Sequence, residues 1–599
     1  MESKIVGREC RFAIHVPSRH SDTPDIHVVK EQVHYEDGTM KPNLRLVQDF
    51  KRPYWITQQS KRDHQQKKEW ESLDHVMQKE VTQSKLRDDI ARAIGKGWSP
   101  DPLKKLLNSP YIYGADITAS SLIKRQYMVK WPTMVSGYTR CILDVESDVT
   151  RDKSDPGFED ILMTTVIFGK EIFISVEKRF LEGLHDVQAR LDAAVSKYIG
   201  EYVDKHQMKV TLHIAENVID MLKAVFKKVH EWKPDWLAIW NISFDIPKII
   251  SMLEKYGIDP REVLCDPSLP MEYRICKWMP GPTKQVTASG KVKPINPASQ
   301  WHTLRCTASY YVIDSMCVYK HLRLGEQEEP SYSLDWILQK ILGIRKLKFA
   351  EADGLERLEW HKFMQTKFKI EYMVYNIFDC LSMLELDDKT KDLIYSLPGF
   401  AGTTDFPNFK SQPRRIMDNL HYYALEEGCV MGTVGYQEKV EAVSDKEEDL
   451  DADLDDEEEE ENTSAEQDLT NEDEENADAP VRARSTLSLK RWIVTLPAHM
   501  SVLGLPLIKE DPSLLTNIRT FVYDSDEVSA YPTATTVANV SKGSTKREII
   551  DVIGVKEMTF RYQNMNLLLG SMNALEYATT MFNFPKPDQL LEQFMRDGI

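Results

Sequence analysis

Between Arg140 and Trp240, short uninterrupted apolar runs alternate with a helix-periodic stretch, and that rhythm leaves few folds open. Arg140-Cys-Ile-Leu-Asp-Val-Glu146 predicts a buried strand, and Ile161-Leu-Met-Thr-Thr-Val-Ile-Phe168 predicts its neighbour. Val218 to Trp232 repeats apolar residues at helical spacing and leads into another apolar strand, Trp236-Leu-Ala-Ile-Trp240. Strands alternating with helices predict an α/β sheet with helices on its faces. Upstream, about 135 residues mix short strand-like runs with a basic, helix-prone stretch, Lys61 to Lys96. No internal repeat interrupts this order.

The 599 residues allow about four domains. The balance of 42% hydrophobic and 28% charged residues is that of a globular protein, and no apolar run is long enough to span a bilayer. The N-terminus lacks the apolar core of a secretory signal. Eight scattered cysteines without a Cys-x-x-Cys spacing predict a reduced, cytoplasmic chain with no cysteine zinc site. The net charge of −18 is local: Asp445 to Asp478 holds 20 acidic residues against Lys446, or −19, which leaves the rest at +1. That run is self-repelling and poor in apolar residues, so it predicts a disordered insert, with order resuming near Arg491-Trp-Ile-Val-Thr-Leu496. A near-neutral remainder leaves nucleic-acid binding open.

Three short acidic motifs carry the chemistry. In Asp144-Val-Glu146, side chains two apart on a strand share a face, so the two carboxylates point together. Burying them side by side is costly unless a cation neutralises them. Asn241-Ile-Ser-Phe-Asp245 follows the third strand, and Pro247 suits the first turn of a helix through Ile250 and Leu253. Asp245 is thereby predicted at a strand-to-helix junction, where α/β sheets build their sites. In Tyr375-Asn-Ile-Phe-Asp379, helical spacing sets the phenol and the carboxylate on one face. Singly, each match is ordinary: a surface pair, an N-terminal helix acid, a solvated helix face. Together, Asp144, Glu146, Asp245 and Asp379 offer four carboxylates without His or Cys, the ligand chemistry of Mg²⁺ or Mn²⁺. Phosphodiester hydrolysis by two such ions needs shared carboxylates of this kind, and Tyr375 suits orientation of the attacking water.

In this order the motifs resemble Exo I, Exo II and Exo III of the proofreading exonucleases in family B DNA polymerases, most closely those of T-even phages. Val312-Ile-Asp314 with Tyr319-Lys320, and Pro330-Ser-Tyr-Ser-Leu-Asp335 followed by Leu342-Gly343 and Lys346-Leu-Lys348, are similar to segments that those enzymes carry before Exo III. Two residues separate Asn241 from Phe244, where the phage relatives usually have three. The resemblance implies an RNase H-like exonuclease domain with a mixed sheet flanked by helices, and two Mg²⁺ or Mn²⁺ ions per site. Asp144 would bridge them, with Glu146 and Asp379 on the nucleophile side and Asp245 on the other. Asn241 and Phe244 would touch DNA; Phe244 would stack on a frayed 3′ end, with burial in the core as its other reading. Lys61 to Lys79 and Lys346 to Lys348 are basic enough to meet phosphate, although solvated lysines are commoner.

Asp526-Glu-Val-Ser-Ala-Tyr-Pro-Thr533 resembles polymerase motif A, with Ala530 where Leu is usual. Asn539-Val-Ser541 is similar to the sequence that trails it. The likeness implies that Asp526 binds catalytic metal, that Ser529 and Ala530 present backbone N–H groups to a dNTP, and that Tyr531 excludes a 2′-hydroxyl. The 66 residues after Thr533 hold no Asp-x-Asp for motif C. Lys104-Lys-Leu-Leu-Asn-Ser-Pro-Tyr111 superficially matches motif B, but Pro110 would break its helix, so a turn is expected there. Arg561-Tyr-Gln-Asn564 matches still less.

The expected layout is multi-domain α+β: an N-terminal domain over 1–135, the α/β exonuclease over 136–395, a helical connection over 396–444, the insert over 445–478 and a partial palm over 479–599. The expected partners are a DNA primer-template and its single-stranded 3′ end, a dNTP where the site is completed, and a sliding clamp. A second polypeptide would supply fingers, motif C and thumb, packing on apolar residues such as Leu567, Leu568 and Phe582; no membrane is expected. Phage-type replication in the cytoplasm of an infected bacterial host is the implied setting. A stand-alone exonuclease with a vestigial motif A, or a non-catalytic replication scaffold, would share much of this sequence; the complete carboxylate set argues against the scaffold.

Overall fold

A computed structural model describes residues 3–432, except 19–22, 69, 98–101, 152–153, 156, 287–291, 325–327 and 356. The acidic insert, Arg491–Leu496, the expected palm, and motif A with Asp526, Ser529, Ala530 and Tyr531 lie outside the described residues. Among the described residues, no helix is long and apolar enough to cross a membrane.

Long strands open the chain. β1 (Ile5–Val16), β2 (Ile26–Tyr35) and β3 (Met40–Gln48) form an antiparallel sheet in that order. β2 is buried along most of its length, so its charged residues need partners. Lys30 donates to the backbone carbonyls of Lys233 and Pro234 at 2.7 and 3.3 Å, and Glu31 accepts from Tyr127 and Asn43 at 2.8 and 2.6 Å. Next come β4 (Arg52–Thr57), β5 (Trp70–Ser72), β6 (Val76–Val81), α1 (Leu86–Ala93), α2 (Leu103–Leu107), β7 (Ile112–Tyr113) and α3 (Ala119–Lys130).

Two sequence expectations are corrected in this region. Lys61 to Lys96 is helical only at α1 and carries strands at β5 and β6: Val76 and Val81 are buried, and pairing of β6 with β4 outweighs the helix propensity of the intervening Lys, Gln and Glu. Lys104 to Tyr111 is not a bare turn; the five-residue α2 forms first, and the turn follows through Pro110.

The central sheet has strand order β11-β10-β9-β8-β12-β17. β8 (Arg140–Ser147), β9 (Ile161–Phe168) and β10 (Glu171–Glu177) run as an antiparallel meander. After α4 (Val187–Lys205), β11 (Lys209–Ala215) pairs parallel to β10. α5 (Val218–Trp232), capped by Asn217, returns the chain to β12 (Trp236–Ile239), which lies parallel to β8. α6 (Ile242–Lys255) and α7 (Pro260–Leu264) follow. Short hairpin strands come next: β13 (Cys276–Met279), β14 (Lys284–Val286), β15 (Val292–Pro294) and β16 (Thr303–Cys306). β17 (Tyr311–Asp314) then completes the sheet beside β12. α8 (Ser315–Leu322), α9 (Leu334–Leu342), α10 (Arg357–Lys367) and α11 (Lys369–Thr390) complete this part. The architecture is mixed α/β, with the strands at Arg140, Ile161 and Trp236 and the helix at Val218 where the sequence predicts them.

Alternation along β8 sorts its side chains between two cores. Cys141, Leu143 and Val145 pack with α5 and α6, whereas Ile142 joins the apolar cluster of α4 and α11. Asp144 and Glu146 share the side of Ile142 and therefore face α11.

The segment after 395 turns back rather than onward. α12 (Leu397–Ala401) and α13 (Gln412–Glu426) lead to β18 (Cys429–Met431), which pairs with β5. Phe12 and Ile14 of β1 belong to the same apolar cluster as the central sheet, and the buried Arg11 lies 3.6 Å from Asp235. The N-terminal strands thus share a core with the segment expected to form the exonuclease domain.

Candidate metal centre

Asp144, Glu146 and Asp379 converge, each offering one carboxylate oxygen within 4.8 Å of the others. β8 supplies the first two from one face and α11 supplies the third. Asp245 is 5% exposed and stands beside them; its Oδ1 accepts from the Val145 backbone N–H at 3.3 Å. The four carboxylates are therefore gathered at one place, with the tightest grouping among three.

Asp245 owes its position to α6, which starts earlier than expected. Asn241 caps the helix, accepting from Ser243 N–H at 3.3 Å and from its hydroxyl at 2.7 Å. Ile242 N–H donates to Asp314 at 3.1 Å, pinning the helix start to the end of β17. Asp245 is consequently in the first turn, and Pro247 lies inside the helix rather than at its entry. A good cap outweighs the hydrogen bond that a proline six residues further on removes. Phe244 is 53% exposed, so its core reading is overturned.

Tyr375 and Asp379 lie on one face of α11, as the spacing predicts, and Lys346 joins them. Its ammonium donates to Asp379 Oδ2 at 2.7 Å and to the Tyr375 hydroxyl at 3.2 Å. The loop before it is shaped by α9: Ser333 caps the start, Gly343 ends the helix in the left-handed region (φ 72°), and Asp335 accepts from Lys346 N–H at 2.9 Å. The basic run Lys346–Lys348 thus places its first lysine against a carboxylate rather than in bulk solvent.

Several contacts were not foreseen. Asn376 donates to Asp144 Oδ2 at 2.6 Å and accepts from Thr165. Tyr372 donates to Glu146 Oε2 at 2.5 Å; behind it stand Gln365 at 3.2 Å and His361 at 2.8 Å. Tyr372 lies three residues before Tyr375, so helical spacing applied backwards from the Exo III-like motif would have singled it out.

The electrostatics follow from this crowding. Burial pushes Asp144 well above the usual carboxylate range, and Asp245, Asp379 and Glu146 push it further. Burial raises Glu146 to about 7, against the hydrogen bond from Tyr372. Asp245 rises to about 8, chiefly through burial, against the Val145 N–H. Burial also raises Asp379, with Lys346 opposing. Lys346 itself is raised, because Asp379, Tyr375 and Asp144 outweigh the cost of burying its charge.

Four carboxylates and one ammonium carry three uncompensated negative charges when ionised, and Asp379 Oδ1 is buried without a hydrogen-bond partner. Oxygen ligands alone, an excess of negative charge and an orphaned carboxylate oxygen fit a hard divalent cation. The Asp144, Glu146 and Asp379 cluster can therefore hold a metal ion. No protein-family model matches the chain, and comparison with curated proteins finds no match.

Proposed function

We propose that the chain is a divalent-metal-dependent 3′→5′ exonuclease acting on DNA ends, within the N-terminal part of a family B DNA polymerase of the T-even phage type. The observation that carries the reading is the convergence of the 144–146 and 375–379 motifs on one carboxylate cluster with ligand oxygens within 4.8 Å, with Asp245 of the 241–245 motif bound beside it through the Val145 N–H. Its domain would be RNase H-like, and Asp144, Glu146, Asp245 and Asp379 would hold two Mg²⁺ or Mn²⁺ ions. Such ions, when bound, supply an activated water and stabilise the leaving oxygen.

The chain's own residues do the rest. Tyr375, its hydroxyl fixed by Lys346, orients the attacking water beside Asp379. Lys346 brings a positive charge to the scissile phosphate. The exposed ring of Phe244 stacks on the terminal base, worth about 1–3 kcal/mol per base, and Asn241 holds that helix entry in place. Asp526, with Ser529, Ala530 and Tyr531, would serve nucleotidyl transfer once a second polypeptide supplies fingers, motif C and thumb. Primer-template DNA, dNTP and a sliding clamp are the implied partners, in the cytoplasm of an infected bacterial host.

The test uses the full-length chain and a 5′-labelled single-stranded oligonucleotide. Shortening from the 3′ end is expected with Mg²⁺, absent with chelator, and lowered about 1,000-fold or more in Asp144→Ala, equivalent to about 4 kcal/mol of lost stabilisation. Equal shortening by Asp144→Ala, or none by the wild type, would overturn the reading.

A further inference from the structure

Two side chains of α11 do not belong to the carboxylate set yet touch it directly. On β8, Asp144 and Glu146 are two residues apart, about 6.6–6.8 Å along a strand. On α11, Tyr372 and Asn376 are four residues apart, about 6 Å along a helix. The two spacings match, and the pairing is antiparallel: Asn376 meets Asp144 at 2.6 Å and Tyr372 meets Glu146 at 2.5 Å. A single helix row thus addresses both strand carboxylates at once, while the adjacent row, Tyr375 and Asp379, faces Lys346.

Each contact is locked from behind. Thr165 is the cross-strand partner of Asp144, and its hydroxyl donates to Asn376 Oδ1. With a donor on one side and a carboxylate on the other, the amide of Asn376 has one workable orientation. The Tyr372 hydroxyl has one proton, which goes to Glu146. Its lone pairs then accept from Gln365 Nε2 and His361 Nδ1, so His361 must carry its hydrogen on Nδ1. Gln365 is fixed in turn: it donates to Ser147 O at 2.8 Å and accepts from Val149 N–H at 3.1 Å, both just past the carboxylates on the same chain segment. Trp360 packs its ring 6.1 Å from that of Tyr372, and the Tyr375 ring lies parallel to it at 6.0 Å.

We propose that Tyr372 and Asn376 are positioning residues of the metal centre, each holding one oxygen of a β8 carboxylate so that the other is presented to the ion. The proposal rests on the metal-dependent reading above. Hydrogen-bond partners of metal ligands typically contribute 10–100-fold in affinity or activity. A residue that merely packed would be indifferent to the loss of one hydroxyl.

The experiment measures Mn²⁺ affinity of the full-length chain by electron paramagnetic resonance, alongside exonuclease rate against Mn²⁺ concentration. Tyr372→Phe keeps the ring and is expected to weaken Mn²⁺ binding about 10-fold or more, with the thermal midpoint in chelator within about 3 °C of wild type. Its rate is expected to return toward wild type at saturating Mn²⁺, whereas that of Asp144→Ala does not. Asn376→Ala is expected to behave likewise; should it fail to fold, Tyr372→Phe decides. Unchanged Mn²⁺ affinity in Tyr372→Phe, or a rate that saturating Mn²⁺ does not restore, overturns the positioning role. Absence of Mn²⁺ binding by the wild type would instead remove the metal reading, and this inference with it.

Discussion

Two clusters of buried acids lie at the end of β8, and they are built on opposite principles. In the first, Asp148, Asp160 and Glu177 surround Arg151, at 2.6, 3.8 and 3.2 Å. Lys255 and Tyr256 complete Asp160, each at 2.5 Å. In the second, Asp144, Glu146, Asp245 and Asp379 have Lys346 as their cation, and one buried carboxylate oxygen is left without a partner. Three acids against two cations leave one net negative charge; four against one leave three. A chain tolerates the second arrangement by keeping protons on its acids or by taking the missing charge from outside. The contrast separates acids compensated within the fold from acids that could hold a metal ion.

Removing the central cation of the first cluster should give the largest stability effect. Arg151→Met keeps much of the aliphatic stem but takes the cation from Asp148 and Glu177, while Asp160 keeps Lys255. The loss is expected to be about 3–5 kcal/mol, the usual cost of breaking a buried pair by deleting one partner, read from denaturant unfolding. Exonuclease rate per folded molecule should persist, the reverse of the Asp144→Ala profile. An Arg151→Met protein as stable as wild type would erase the distinction between the clusters.

This distinction was only half visible in the sequence. The i, i+2 and i, i+4 spacings announced that Asp144 with Glu146, and Tyr375 with Asp379, would share faces, because secondary-structure geometry alone decides that. The apolar runs at 140, 161 and 236 announced the sheet for the same reason. Which acids would be compensated was not legible: Arg151 meets Glu177 across 26 residues and Lys346 meets Asp379 across 33, and no local pattern encodes such pairings. The start of α6 was misjudged because Pro247 is a strong helix-entry signal, whereas the bonds that set the true start come from Asn241 and from the distant Asp314. Within Lys61 to Lys96 the strand at Val76–Val81 was missed because the pairing of β6 with β4 is equally non-local.

A smaller effect, of opposite sign in the absence of metal, tests the uncompensated cluster. Asp245 titrates near 8 in the folded chain against an ordinary value of 3.8. A raised folded value means that its stabilising contribution is complete below about pH 4 and is lost as the pH climbs toward 8. Asp245→Asn removes that titration while its side-chain oxygen can still accept from Val145. In chelator, the variant should match wild type near pH 4 and melt a few degrees higher at pH 8, at about 2–4 °C per kcal/mol. Excess Mg²⁺ should reverse the order at pH 8, since only the wild type keeps all four of the proposed ligands. A wild type that melts above Asp245→Asn in chelator at pH 8 would show that its acids are compensated within the chain after all.

The smallest effect probes how far the uncompensated cluster relies on its supports. Thr165 neighbours Asp144 across the β8–β9 ladder, but its hydroxyl is bonded to Asn376, which in turn donates to Asp144. Thr165→Val replaces that hydroxyl with a methyl group of similar size and leaves Asn376 free to turn. One neutral hydrogen bond contributes about 0.5–1.5 kcal/mol, so a stability loss near 1 kcal/mol is expected, together with a Mn²⁺ affinity lowered about 3-fold, less than in Tyr372→Phe. The same substitution should leave the Arg151 cluster untouched, because the contacts of Arg151 run to Asp148, Asp160 and Glu177. If Thr165→Val costs stability but leaves Mn²⁺ affinity at the wild-type value, Asn376 holds Asp144 without help from β9, and support for the ligand stops at the helix.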